Sequence, residues 1–126
     1  MQRSVALEKA CVLFNIGSSY SQSAAAEPRD SPQSLARAVK MFQNAAGVFQ
    51  YILENFRNAP SADMSQPSLR MLVSLMLAQG QVCARIKEKK NEEKKKRRKE
   101  EEEEEKKKQK KKKKTKKKKN SARTSE

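Results

Sequence analysis

Apolar residues recur along this chain at the alternating spacing of three and four that lines a helix face, and nowhere at the spacing of two that a half-buried strand requires. The clearest stretch is 35–56. Leu35, Val39, Phe42, Ala46, Phe49, Leu53 and Phe56 form one stripe, and Ala38, Met41, Ala45, Val48 and Ile52 form a second beside it. Arg37, Lys40, Asn44, Gly47 and Glu54 run down the opposite side. A helix with so broad an apolar face needs one partner before it in the chain and one after it.

The pattern supplies both. A first helix is predicted over about 3–26, with Leu7, Cys11 and Phe14 on one stripe and Ala6, Ala10, Leu13, Gly17 and Tyr20 on the next; Val12 and Ile16 carry the apolar surface further round. Gly17 costs about 1 kcal/mol of helix propensity relative to Ala, so its place is explained by a close helix approach rather than by the helix itself. Pro28 ends this helix and 27–32 is a turn. Ser31 then caps a middle helix that opens on Pro32, where a missing N–H is harmless, and runs over 32–58, ahead of Pro60. After a loop at 59–65, with Asp63 or Ser65 as cap, a third helix over 66–86 carries Leu69, Leu72, Val73, Met76, Leu77, Gly80, Cys83 and Ile86. Short connections make this an all-α, antiparallel three-helix array.

Charge divides the chain in two. Residues 1–86 hold 8 Lys or Arg against 5 Asp or Glu, whereas 87–126 hold 22 against 10, so most of the formal net charge of +15 lies in the last third. The predicted domains are therefore a helical body at 1–86 and a low-complexity Lys/Glu tail at 87–126. About 86 residues build only a modest core. In the tail, Glu102 with Lys106, Glu103 with Lys107 and Glu104 with Lys108 are favourable four-apart pairs that carry the third helix on to about Lys108. The lysine run that follows repels itself and is expected to be disordered.

Candidate chemistry is sparse. The chain has no histidine, which removes Ser/His/Asp and Cys/His catalysis, and it has no glycine-rich phosphate loop and no metal-ligand spacing. Cys11 and Cys83 lack CxxC spacing and a secretory leader ahead of them, and are expected as reduced thiols in a core. No enzyme activity, metal or cofactor is expected. The tail segment Lys94, Lys95, Lys96, Arg97, Arg98 and Lys99 has the composition of a nuclear-import or phosphate-binding patch. Polylysine binds nucleic acid or anionic membrane by counterion release, but this tail has no aromatic residue for base stacking and six consecutive glutamates interrupt it. A solvated extension with no dedicated partner stands beside that reading.

Three motifs carry a resemblance. LEKACVLFNIGSSYSQ (Leu7–Gln22), FQNAAGVF (Phe42–Phe49), and DMS (63–65) with LMLAQGQ (Leu75–Gln81) occur in this order, and the chain resembles part of a Bro1 domain, the family of Alix, HD-PTP and the rhophilins. The resemblance implies a fragment of a longer, curved, tetratricopeptide-like all-α domain. It implies too a non-enzymatic adaptor of endosomal sorting, cytoplasmic and endosome-associated, whose apolar groove receives the C-terminal helix of an ESCRT-III subunit. On this reading Leu69, Leu72, Met76, Leu77, Gly80 and Ala84 are the groove wall. The chain departs from the family's pattern after LMLAQGQ, where Val82, Cys83, Ala84 and Arg85 stand in place of a glutamate and bulky apolar residues. The alternative is a basic protein acting on nucleic acid or an anionic surface through its tail, with nuclear localisation open to it. Three helices with such wide apolar faces leave some of that surface bare, so self-association is expected, with Val12 and Ile16 as the sticky side.

Overall fold

The computed structural model describes residues 2–56 and 64–125, which fold as three helices: α1 (Gln2–Ala26), α2 (Pro32–Asn55) and α3 (Gln66–Thr124). Among the described residues there is no strand. The expected loop at 59–65, Asp63 as a cap and the end of the middle helix at Asn58 fall largely or wholly outside the described residues. Within them, α2 stops at Asn55, three residues before the end expected ahead of Pro60, where Phe56 leaves helical geometry (φ −125°, ψ 72°) and its N–H still reaches the Ile52 carbonyl. The chain divides into two compact units, Met1–Lys90 and Asn91–Glu126.

Local chemistry sets the helix starts. Ser31 sits in extended geometry as the N-cap of α2, its Oγ accepting from the Ser34 N–H at 3.3 Å, with Pro32 directly after it. Ser34 is itself buried, and its hydroxyl is satisfied by Asp30 Oδ1 at 3.3 Å and the Ser31 carbonyl at 3.0 Å. Ahead of α3, the Ser65 carbonyl accepts the Leu69 N–H at 2.9 Å and its hydroxyl meets Ser68 Oγ at 2.9 Å. The turn between α1 and α2 is clasped by Arg37, whose guanidinium donates to both Glu27 carboxylate oxygens at 3.2 and 3.3 Å. With Arg37 more than half exposed, that pair contributes well under 1 kcal/mol after solvent screening.

In the first unit α2 is the central element. Leu35, Ala38, Phe42, Ala45, Ala46, Phe49 and Ile52 are buried, while Arg37, Lys40, Asn44, Gly47 and Glu54 lie on the wetter side. α1 meets it through small residues seven apart, Ala10, Gly17 and Ala24, all buried. A Cβ on Gly17 would lie 2.9 Å from Phe49 Cε1, so only glycine admits the ring there, and Phe14 packs on that ring from α1 with centroids 5.4 Å apart. These pairs, with Arg37 on Glu27, descend through α1 as they ascend through α2, which makes the two helices antiparallel. From α3, Leu69, Met76, Gly80 and Cys83 are buried against the same core. Gly80 lies against Phe42 and the Val39 carbonyl, and Lys90 donates to the Arg29 carbonyl, so the first part of α3 is antiparallel to α2 as well.

Two expectations about side-chain placement are corrected. Leu7 and Tyr20, read as members of inner stripes, are exposed, because the close approach at Gly17 turns the small-residue face of α1 inward and leaves these two at its edges. Cys11 is half-buried rather than buried, while Cys83 is 1% exposed; both are free thiols. Beyond Lys108, where repulsion predicts disorder, α3 continues as helix to Thr124. Lys, Glu, Arg and Gln all rank among the better helix formers, and neither Gly nor Pro occurs after Gly80.

Candidate partner-binding surface

α3 carries the expected groove residues, and its periodicity sorts them. Leu69, Met76 and Gly80 lie on the stripe that faces α2 and are buried. In this structure α2 covers these three, because it needs a second neighbour on that side. Leu72 and Ala84 are half-buried at the edges of that stripe, and Leu77 is exposed. The six residues thus do not form one wall.

The back of α3 presents a row that the groove assignment does not include. Met71 is 64% exposed, Leu75 45% and Val82 56%, and with Ala78 they follow the spacing four, three, four on the side away from α2. The signal is in the sequence, since two apolar stripes on opposite sides of one helix mean two neighbours.

A second apolar surface lies on α1, where Val12 and Ile16 are exposed on the outer face with Asn15, Ser19, Tyr20 and Ser23 around them. Between α1 and α2 an open groove runs past Leu13, Tyr20, Gly47, Val48 and Tyr51. Gly47 has nothing within 4 Å of where a Cβ would stand, so the groove floor is open there. Tyr51, which borders the wet stripe of α2, is 53% exposed.

None of these surfaces carries reactive chemistry. Among the described residues no cluster of Cys, Asp or Glu is arranged to hold a metal ion, and no buried side-chain polar atom lacks a hydrogen-bond partner. No helix of the described residues is long and apolar enough to cross a membrane. In the second unit, Lys94, Lys95, Lys96, Arg97, Arg98 and Lys99 are all exposed along α3.

Comparison with known proteins places these helices. Rhophilin-1 of Homo sapiens is 49% identical over 82 residues, which cover 65% of this chain and 12% of that protein. Rhophilin-2 of Mus musculus is 49% identical over 80 residues, covering 64% of this chain and 12% of the relative. The "Vacuolar protein-sorting protein BRO1" of Gibberella zeae is 46% identical over 80 residues, 64% of this chain and 8% of its own length. The chain therefore spans about an eighth or less of the curated relatives it matches. No solved structure matches it. The model of the BRO1-like domain matches residues 1–120, and with close to the whole sequence inside that match, the chain belongs to the BRO1-like domain family.

Proposed function

We propose that the helical unit is a protein-binding adaptor module of endosomal sorting, and that it takes the C-terminal amphipathic helix of an ESCRT-III subunit along the outer side of α3. Family membership supports the adaptor reading, and the fungal relative, named for vacuolar protein sorting, supports the sorting context. The observation that carries the site is the exposure of three large apolar side chains, Met71, Leu75 and Val82, within twelve residues on one side of one helix. Scattered apolar residues on a surface are ordinary, but a periodic row of them on a regular helix is the shape that a partner helix recognises through anchors three and four apart. Leu72, half-buried at one edge of the stripe facing α2, lies three residues before Leu75 and adjoins this surface. The cytoplasm and the endosome surface are the locations this role requires.

A fluorescent synthetic peptide of an ESCRT-III C-terminal helix tests the assignment by anisotropy. Binding is expected to change little between low and moderate salt, since apolar contacts are not screened. It is expected to fall at least tenfold in Leu75→Glu and Val82→Glu, both exposed and therefore without consequence for folding. Binding that survives both substitutions would move the site elsewhere.

A second reading rests on the lysine run 110–119, which is exposed throughout. Nine lysines in ten positions of helix give about one positive charge per 1.7 Å, close to the phosphate spacing of duplex DNA. Binding through that run would collapse between low and moderate salt.

A further inference from the structure

Residues 92–107 have a property that composition does not reveal. All sixteen are charged, in the order Glu92–Glu93, then Lys94–Lys99 (six basic residues), Glu100–Glu105 (six acidic) and Lys106–Lys107, and the net charge of the segment is zero. Read backwards, every sign reverses: Glu92 corresponds to Lys107, Lys94 to Glu105, Arg97 to Glu102, and Lys99 to Glu100. The whole segment lies inside one uninterrupted helix and every residue of it is exposed.

We propose that this segment is a self-recognition surface whose partner is the same segment of a second copy of the chain, laid antiparallel with Lys99 opposite Glu100. A sequence whose charge inverts on reversal is complementary to itself under a two-fold axis, and a two-fold axis closes the assembly at two copies. Each basic block then faces an acidic block twice over. Like charges four apart within a block, such as Glu100 with Glu104 or Lys94 with Arg98, destabilise a lone helix, and a facing block of opposite sign offsets that repulsion. Within the single chain these charges are largely unspent: among the described residues one member of the segment, Glu104, makes an ion pair, with Lys108 just beyond it at 3.9 Å and both side chains 73% exposed.

The same blocks disfavour two other arrangements. A parallel pair in register sets six basic residues on six basic residues and six acidic on six acidic. Sliding the antiparallel pair so that Glu100–Glu105 meets residues 106–111 sets Lys94–Lys99 on the lysine-rich residues 112–117. In the proposed register the two lysine runs that begin at Lys110 leave in opposite directions, each starting about 16 Å from the two-fold axis. Their separation of about 30 Å exceeds the screening length of about 10 Å at 0.1 M salt. No apolar residue lies between Lys87 and Ser121, so the pairing has no hydrophobic seam and depends wholly on charge.

Sedimentation velocity on the full chain at about 50 μM tests this, at ionic strengths of about 20 mM and about 0.5 M. The chain is expected to sediment as a dimer at the lower salt and to lose that dimer at the higher. One variant carries Lys at all of 100–105, another carries Glu at all of 94–99, and a third exchanges the two blocks. The first two alone are expected to show no dimer at low salt. Their equimolar mixture restores it, because an all-basic and an all-acidic segment are again complementary at the same total charge. The block-exchanged variant keeps the sign inversion and is expected to dimerise like the parent. A chain that is monomeric at low salt overturns the proposal. So does a dimer that persists at about 0.5 M salt and in both single-sign variants, which would place the interface on the apolar faces of α1 or α3. Oligomers that keep growing with concentration would overturn the closed two-fold pair.

Discussion

The two units of this chain are both helical, for opposite reasons. In Met1–Lys90 the helices are held by what they bury: Phe42, Leu35, Ile52 and Leu69 are all at most 1% exposed, and the ion pair of Arg37 with Glu27 sits at the surface of a turn. In Asn91–Glu126 none of the described residues is buried, and the helix rests on backbone propensity and local charge alone. Removing one side chain from the first unit therefore leaves a hole that its neighbours feel. Removing one from the second changes a local charge and little else. Helicity by itself says nothing about which regime a segment is in; burial does.

The sharpest way to expose that difference is to delete a ring. Phe42→Ala and Phe49→Ala are each expected to destabilise the helical unit by about 3–5 kcal/mol, a large part of what so small a domain possesses. Thermal melts followed by circular dichroism would show it, and a melt unmoved by either change would mean that α2 is not the core. Filling space is expected to cost less. Gly17→Val places a Cβ 2.9 Å from a Phe49 ring already packed on Phe14, so a loss of about 1–3 kcal/mol by denaturant titration is expected, whereas Gly47→Ala, in open space, is expected to be neutral or slightly stabilising.

Smaller again is the loss of a cap. Ser31→Ala removes the acceptor for the Ser34 N–H and a partner of the buried Ser34 hydroxyl, with an expected cost of about 1 kcal/mol. The smallest effect on stability is the most informative about the second unit. Ending the chain after Lys90 is expected to leave the melting midpoint of the first unit unchanged while retention on heparin falls sharply. A midpoint that dropped on truncation would show that the first unit depends on the charged segment and would erase the contrast between the two regimes.

Most of the fold is legible in the sequence. The doubled stripe from Leu35 to Phe56 marks α2 as the middle layer, Ser31 and Pro32 mark its start, and Gly17 marks a close approach, because each feature has a local cause that the residues state outright. The candidate site is legible only in part. Leu69, Met76 and Gly80 belong to the same periodic family as Leu77, and periodicity alone gives a helix two or three apolar stripes without saying which one meets the neighbour. The end of α2 at Asn55 falls three residues short of the end expected ahead of Pro60, since the backbone leaves helical geometry at Phe56, the last residue of the apolar stripe.

The sequence by itself determined that the chain is helical, where each helix begins, and that its charge collects in a stretch with no apolar residue to bury, since propensity, capping and composition act within a few residues of one another. Which side of each helix is inside was decided only by the tertiary structure. The burial of Ala10, Gly17 and Ala24, with Val12 and Ile16 left facing out, depends on the Phe49 ring of another helix occupying the space above Gly17. The exposure of Met71, Leu75 and Val82 depends likewise on Gly80 settling against Phe42. Such contacts join residues some thirty to forty positions apart, and a side chain's surroundings at that range are set by the packing of whole helices rather than by its neighbours in the chain.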